Sequence, residues 1–183
     1  MHTKNKHTCS LLVEKLSLKP HPEGGFFAEI HRSEHQVTPR SLRYNGEQRH
    51  AGTLIYYLLQ EDNYSAWHRL HSDETWHFHK GCPIYLHTVD TEYNFRTIVL
   101  GDQLETAEAT FHAVTKAGHW FAAELTDKSS FGLVSCAVYP GFEFKDFELA
   151  NEVAIKSLIA RCPKHEELIK KLTHPSYHPK KIG

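Results

Sequence analysis

Residues 65–81 read SAWHRLHSDETWHFHKG, and this block holds four histidines, two acids, one arginine and two tryptophans in 17 positions. The polar triplet at 71–73 separates two runs rich in aromatic residues, a pattern typical of two strands joined by a turn. Side chains alternate between the two faces of a strand, so His68 and Arg69 point in opposite directions. We therefore expect His68 and Glu74 to meet across a hairpin if both lie on its inner surface.

Short runs of aromatic and β-branched residues continue on both sides of this block, across residues 20–140. Turn-forming pairs such as Gly101-Asp102 and Pro140-Gly141 punctuate them. No interval between the runs is long enough for the helical crossover that joins parallel strands, so an antiparallel sandwich or barrel is predicted. The predicted strands lie near residues 26–31, 52–59, 65–70, 74–80, 84–89, 95–100, 109–114, 119–125 and 133–138.

Helical periodicity flanks this β-rich region on both sides. Residues 10–16 carry apolar side chains at helical spacing before Pro20, and a helical period returns after the last predicted strand. Pro163 stands at a favourable first position for a second C-terminal helix. The length of 183 residues suits one domain. We predict a single domain, 1–183, with an all-β barrel at about 20–148 and C-terminal helices at about 149–173.

The composition is that of an ordinary globular protein. Hydrophobic residues make up 40% of the chain and charged residues 23%, which excludes global disorder. The longest wholly apolar stretch, residues 54–59, is too short to span a bilayer, so no membrane association is expected. Lys and Arg number 21 against 22 Asp and Glu, and this balance gives no general attraction to nucleic acid.

The N-terminal residues and the cysteines indicate in which cellular compartment the protein is expected. The first ten residues lack the continuous apolar segment of a secretory signal. The four cysteines stand far apart and form no C-x-x-C pair, so they suggest neither a zinc ribbon nor a redox motif. A cytoplasmic, reducing location is therefore expected.

The spacing after residue 67 resembles the first motif of the cupin superfamily, G(x)5HxH(x)3-4E(x)6G. His68, Glu74 and Gly81 stand at the spacing of its H, E and G positions. More narrowly, the segments PHPEGGFF at 20–27 and PGFEFKDFEL at 140–149, with the histidine-rich block between them, are similar to one cupin-like family of unassigned function. This resemblance implies a small double-stranded β-helix barrel, or jelly roll, with a short N-terminal helix, two C-terminal helices and a homodimeric assembly.

The metal-binding pattern of the superfamily is incomplete in this chain. The second motif, G(x)5PxG(x)2H(x)3N, is echoed by Gly118, but Phe121 stands where its last histidine would be. Leu70 stands where the second metal-binding histidine of the first motif would be. Replacement ligands would have to come from other histidines of the region, namely His77, His79 and His119. We therefore assign no metal ligand and no cofactor.

Without a metal, a histidine beside a carboxylate suits acid–base work, because the carboxylate orients and polarises the imidazole. His68 is the expected proton donor or acceptor and Glu74 the group that orients it. Aromatic side chains form flat walls for a sugar or base, and the candidates are Tyr57, Trp76, Phe78 and Trp120. Glu23 and Gly25, in the PHPEGG segment, are further ligand-binding candidates, because glycine lets a backbone approach a ligand closely.

Three functions compete on this reading. The leading one is a small-molecule-binding cupin that acts as an isomerase or epimerase on a sugar phosphate or nucleotide-linked sugar. The second is a non-catalytic module that binds a nucleotide or another small metabolite in the same cavity. The third is a metal-dependent oxygenase of the ordinary cupin kind.

Overall fold

A computed structural model describes residues 2–177, with side-chain surroundings for residues 5–176. Within this part, the α-helices are α1 (His2–Lys15), α2 (Glu152–Arg161) and α3 (Glu166–Lys171). Its strands are β1 (Lys19–Pro20), β2 (Phe26–Arg32), β3 (Gln36–Val37), β4 (Arg49–His50), β5 (Thr53–Gln60), β6 (Tyr64–Leu70), β7 (Asp73–Gly81), β8 (Ile84–Val89), β9 (Phe95–Leu100), β10 (Ala109–Thr110), β11 (His112–Thr115), β12 (Trp120–Leu125), β13 (Phe131–Tyr139) and β14 (Phe147–Leu149).

Two six-stranded sheets face each other. The first has the strand order β1-β2-β5-β13-β7-β11, and the second has the order β10-β9-β8-β12-β6-β14. Neighbouring strands are antiparallel, except for the short parallel pair of β9 and β10. Strands β3 and β4 form a separate small hairpin. This is the double-stranded β-helix barrel that the family resemblance implies, and the all-β fold class is confirmed.

Each predicted strand is present, and most agree with their observed limits to within two residues. The stretch predicted at 109–114 is two short strands, β10 and β11, which pair with different sheets. The sequence did not indicate β1, β3, β4 and β14, because strands of two or three residues carry no measurable alternation. The predicted division into one domain, 1–183, extends beyond the described residues and stays a prediction.

Three apolar layers hold the fold together. The barrel interior is packed with inward-facing side chains of both sheets, including Trp76, Leu86 and Phe121. The outer face of the second sheet packs against α2 and α3, and the outer face of the first sheet packs against α1. Strand β5 is apolar along most of its length because α1 covers one of its faces and the barrel covers the other.

Each C-terminal helix is preceded by a residue that favours a helix start. The side chain of Asn151 accepts a hydrogen bond from the backbone amide of Ala154 (2.9 Å) and so caps α2. Pro163 opens a 3-10 turn (Pro163–His165) that leads into α3. All four cysteines are free. None of the described helices is long and apolar enough to cross a membrane.

Candidate functional site

A cavity of about 90 Å³ opens between the two sheets. Its walls are inward-facing side chains of β2, β5, β6, β7 and β13, completed by the turn before β2 and by residues 142–147. The more exposed lining residues mark its opening, among them Arg32, Glu143 and Phe144, the last of which is 56% exposed. This volume holds several water molecules, so it suits a small polar molecule or one end of a larger one.

His68 is fixed at the inner end of the cavity. It lies on β6 and is 2% exposed, and its ring packs edge-on against Phe121 with 4.0 Å between centroids. Its Nδ1 lies 2.7 Å from the carbonyl oxygen of Ala66. A carbonyl only accepts hydrogen bonds, so Nδ1 carries a proton and donates it. In the neutral ring Nε2 is therefore the acceptor.

A carboxyl group faces that acceptor. Oε2 of Glu23 lies 3.1 Å from Nε2 of His68, a hydrogen-bond distance that requires one proton between the two atoms. Burial lowers the pKa of His68 to about 4 and raises the pKa of Glu23. Burial therefore disfavours the charged form of both groups, which favours a proton on Glu23 over a proton on Nε2 of His68.

The turn before β2 inserts Glu23 into the barrel. Ser65 donates a hydrogen bond to Oε1 of Glu23 (2.9 Å), and the amide of Ala66 donates to its backbone carbonyl (2.9 Å). Gly24 and Gly25 both have positive φ, 112° and 69°. A Cβ at Gly24 would overlap the backbone of β6, so the two glycines allow the turn to approach the strand closely.

Glu74 is a second buried carboxyl group in the cavity wall. It lies on β7 and accepts a hydrogen bond at 2.9 Å from Nε1 of Trp76, two residues along the same face. Burial, together with the nearby Glu23, raises the pKa of Glu74 to about 8. Glu74 is therefore mostly protonated at pH 7 and ionises just above it.

The cavity gathers five of the eight candidates that the sequence singled out, namely Glu23, Tyr57, His68, Glu74 and Trp76. The expected pairing needs correction, because the carboxyl group that contacts His68 is Glu23, not Glu74. The reason is that the turn before β2 occupies the space between β6 and β5. Tyr57 supports this turn by donating a hydrogen bond to the carbonyl oxygen of Gly24 (2.7 Å).

The other three candidates lie outside the cavity lining. Phe78 packs against the barrel core, on the inner face of β7 but beyond the cavity. Trp120 points outward into the layer under α2 and α3, where the guanidinium of Arg69 lies over its ring. Gly25 belongs to the turn, where a Cβ would meet the hydroxyl of Tyr57.

Sequence reasoning missed several lining residues. His21 lines the cavity and its Nδ1 accepts a hydrogen bond from the backbone amide of Glu23 (3.3 Å). Arg32 and the phenylalanines at 142 and 144 surround the opening. The sequence did offer one signal for these residues. The segment PGFEF, residues 140–144, carries two closely spaced phenylalanines outside any predicted strand.

The residues present do not fit the metal centre of the ordinary cupin pattern. Leu70 and Phe121 stand at two of its ligand positions, and both are buried apolar side chains of the barrel core. The Nδ1 atom of His68 is hydrogen-bonded to the carbonyl oxygen of Ala66, and its Nε2 atom faces Glu23. Among the residues that the structure describes, no group of three or more His, Cys, Asp or Glu side chains is arranged to hold a metal ion.

A jelly roll with a cavity between its two sheets, lined by aromatic rings and buried acids, defines a cupin with a small-molecule-binding fold. The particular family follows from comparison with known families. The family described as "Cupin superfamily (DUF985)" matches residues 10–150, and the chain belongs to this family. A search of curated proteins found no match.

Solved structures agree with this assignment. A hypothetical protein from Leishmania major is 33% identical with a TM-score of 0.76, over 90% of this chain and 98% of that chain. A protein from Shewanella oneidensis is 32% identical with a TM-score of 0.77, over 91% and 97%. Oxalate decarboxylase from Bacillus subtilis is 13% identical with a TM-score of 0.50, over 84% of this chain and 36% of that chain, and it shares the fold alone.

Proposed function

We propose that this cupin binds a small carbonyl compound in its cavity and moves a proton to and from the carbon next to the carbonyl group, as an isomerase or epimerase does. The observation that carries the proposal is the 3.1 Å contact between Oε2 of Glu23 and Nε2 of His68 at the wall of a cavity that also holds Glu74. Acid–base catalysis is most efficient when the pKa of the catalytic group lies near the working pH. Glu74, with a pKa of about 8, meets that condition.

The two carboxyl groups take different roles in this reaction. The ionised form of Glu74 removes the proton from carbon, and the electron pair of the broken C–H bond moves toward the carbonyl oxygen. Glu23, which holds a proton against the neutral His68 ring, donates it to that oxygen. The resulting enediol collapses when a proton returns to carbon, and the carbon or face that receives it decides between isomerisation and epimerisation.

The cavity also limits what part of a ligand it encloses. At about 90 Å³ it holds a sugar's reacting end and not a whole nucleotide-linked sugar. The one arginine of the lining, Arg32, already pairs with Glu29 and Glu143. A phosphate or nucleotide would therefore remain outside, and only the sugar would enter.

Deuterium exchange tests the reaction. Sugar phosphates and nucleotide-linked sugars are incubated with the protein in heavy water, and loss of the signal of the proton next to the carbonyl is followed by NMR. We expect exchange with the wild type, and its loss in His68→Gln and Glu74→Gln. The matched control is His77→Gln, because His77 is exposed on the outer face of β7.

The results separate the competing functions. Exchange that persists in both His68→Gln and Glu74→Gln would remove these residues from the mechanism. A ligand that raises the melting temperature without exchange or product would favour the non-catalytic binding module instead.

We also propose the homodimer that the family resemblance implies. Strand β1 covers β2 only at Phe26 and Phe27, so residues 28–32 form an open edge of the first sheet. Open edges are available for pairing with a second chain. Light scattering coupled to gel filtration tests this, and a monomeric mass at micromolar concentration would contradict it.

A further inference from the structure

The inner carboxyl groups of the cavity have no lysine or arginine beside them. Four glutamates line it, namely Glu23, Glu29, Glu74 and Glu143, and Arg32 is the only lysine or arginine among the described lining residues. The guanidinium of Arg32 donates to both oxygens of Glu29 (3.0 and 2.7 Å) and to Glu143 (2.8 Å). The outer pair of carboxylates thus shares one cation, and the inner pair has none.

The partners of the inner pair are neutral. Glu23 is held by Ser65, by His68 and, at 3.6 Å, by Nδ1 of His21; burial lowers the pKa of both histidines and so disfavours their charged forms. Glu74 is held by the indole of Trp76. Buried charges in proteins are normally paired with an opposite charge, so a cation beside these acids would favour their ionised forms, and the described lining supplies no lysine or arginine to the inner pair.

Aromatic rings complete the surroundings of the two acids. The rings that line the cavity are Phe27, Tyr57, Trp76, Phe142, Phe144 and Phe147. Several touch one another, with centroids 5.8 Å apart for Tyr57 and Trp76 and 5.1 Å apart for Phe142 and Phe144. The negative face of an aromatic ring attracts a cation, most strongly where water is excluded.

We infer that the part of the ligand enclosed by this cavity carries a positively charged nitrogen, such as the ammonium group of an amino sugar or a quaternary ammonium. The inference rests on the proposed function only in taking this cavity as the ligand site. The nitrogen lies against the rings and pairs with Glu74, which releases its proton to the solvent when the cation binds. An anionic group finds little counterpart here, because four of the five N–H donors of Arg32 are already engaged.

Pairs of ligands that differ in charge alone test the inference. Choline is compared with its neutral isostere 3,3-dimethylbutan-1-ol, and D-glucosamine with D-glucose, by titration calorimetry at about pH 7. The proteins are the wild type, Glu74→Gln, and Glu124→Gln as the matched control. Glu124 is a buried glutamate outside the cavity, where it pairs with Lys171.

In the wild type and in Glu124→Gln we expect each cation to bind at least about tenfold more tightly than its neutral partner. Glu74→Gln should remove most of that preference. Titration in two buffers of different ionisation enthalpy should show about one proton released per bound choline in the wild type, and none in Glu74→Gln.

Equal affinities, tighter binding of the neutral partner, or binding of neither member of either pair would overturn the inference. Its failure is distinguishable from failure of the proposed function. Deuterium exchange of an uncharged sugar without preference for the cations leaves the proposed function standing and removes the inference. Preference for the cations without deuterium exchange in any carbonyl compound leaves the inference standing and removes the proposed function.

Discussion

Replacing Glu74 by glutamine should change how the stability of the protein depends on pH. In the folded protein the pKa of Glu74 is raised from 4.5 to about 8, first by burial and then by Glu23. Between these two values the folded chain keeps a proton that the unfolded chain has lost. The contribution of Glu74 to stability is therefore complete below about pH 4.5 and is lost as the pH rises through 8, at about 1.4 kcal/mol per pH unit.

His68 acts in the opposite direction at lower pH. Burial lowers its pKa from 6.5 to about 4, so between these values the unfolded chain binds a proton that the folded chain does not. Its effect is a loss of stability as the pH falls below 6.5, which opposes the slope from Glu74 in that range. From pH 6.5 to pH 8 the slope from Glu74 is not opposed by His68, and it amounts to roughly 2 kcal/mol.

Urea unfolding of the wild type and of Glu74→Gln in half-unit steps from pH 6.5 to 8 measures this. Protein concentration is held fixed, because dimerisation would itself change apparent stability. We expect the free energy of unfolding of the variant, minus that of the wild type, to increase by roughly 2 kcal/mol across the range. The comparison uses the change with pH, so any constant cost of burying the amide cancels.

The matched control is Glu124→Gln. Burial raises the pKa of Glu124, but His87 and Lys171 outweigh it, so the pKa lies below 4.5. Glu124 is thus ionised in both states above pH 6.5, and its variant should differ from the wild type by a constant amount. A constant difference for Glu74→Gln as well would show that this carboxyl group is already ionised in the folded protein, and would refute the reasoning.

Three further outcomes are expected. Arg49→Ala should lower the free energy of unfolding in urea by about 3–5 kcal/mol, because it leaves the buried Asp146 without its bidentate partner (2.6 and 2.8 Å); a loss below about 1 kcal/mol would contradict this. Gly24→Ala should lose the cooperative melting transition or most of the soluble yield, whereas Gly46→Ala, also at positive φ but in open space, should cost only about 1–2 kcal/mol. Phe144→Ala should weaken ligand binding in calorimetry and leave the melting temperature within a few degrees, since this ring is largely exposed at the opening; a matching loss of stability would show that the ring belongs to the core.

Periodicity and turn chemistry predicted an antiparallel sandwich or barrel, and the family resemblance narrowed this to a double-stranded β-helix barrel. Alternation of side chains also put His68 and Leu70 on one face of β6 and Trp67 and Arg69 on the other, as the structure has them, but did not decide which face is the inner one. Alternation did not predict which face of β12 carries Trp120. In β12 nearly every residue is buried on either face, because helices cover its outer side, so apolar character does not tell inward from outward.

The contact between Glu23 and His68 could not be predicted from the sequence, for a different reason. Glu23 meets His68 only because a turn 42 residues before Ser65 folds back onto β6. Neither alternation nor motif spacing reports contacts between segments so far apart in the chain. The two glycines after Glu23 were the local sign of a close approach, but they do not say which strand is approached.

Burying Glu23, Glu74 and His68 together lowers the stability of the fold, and the rest of the molecule offsets this loss. Glu74 and Glu23 must stay protonated, and His68 unprotonated, under conditions where the unfolded chain would have them otherwise. A barrel needing only stability would place apolar side chains at these positions, as it does at Leu70 and Phe121. Proteins keep such destabilising groups where the groups act on a ligand. The free-energy cost of keeping these groups buried in uncharged form is thus an argument that they serve the cavity.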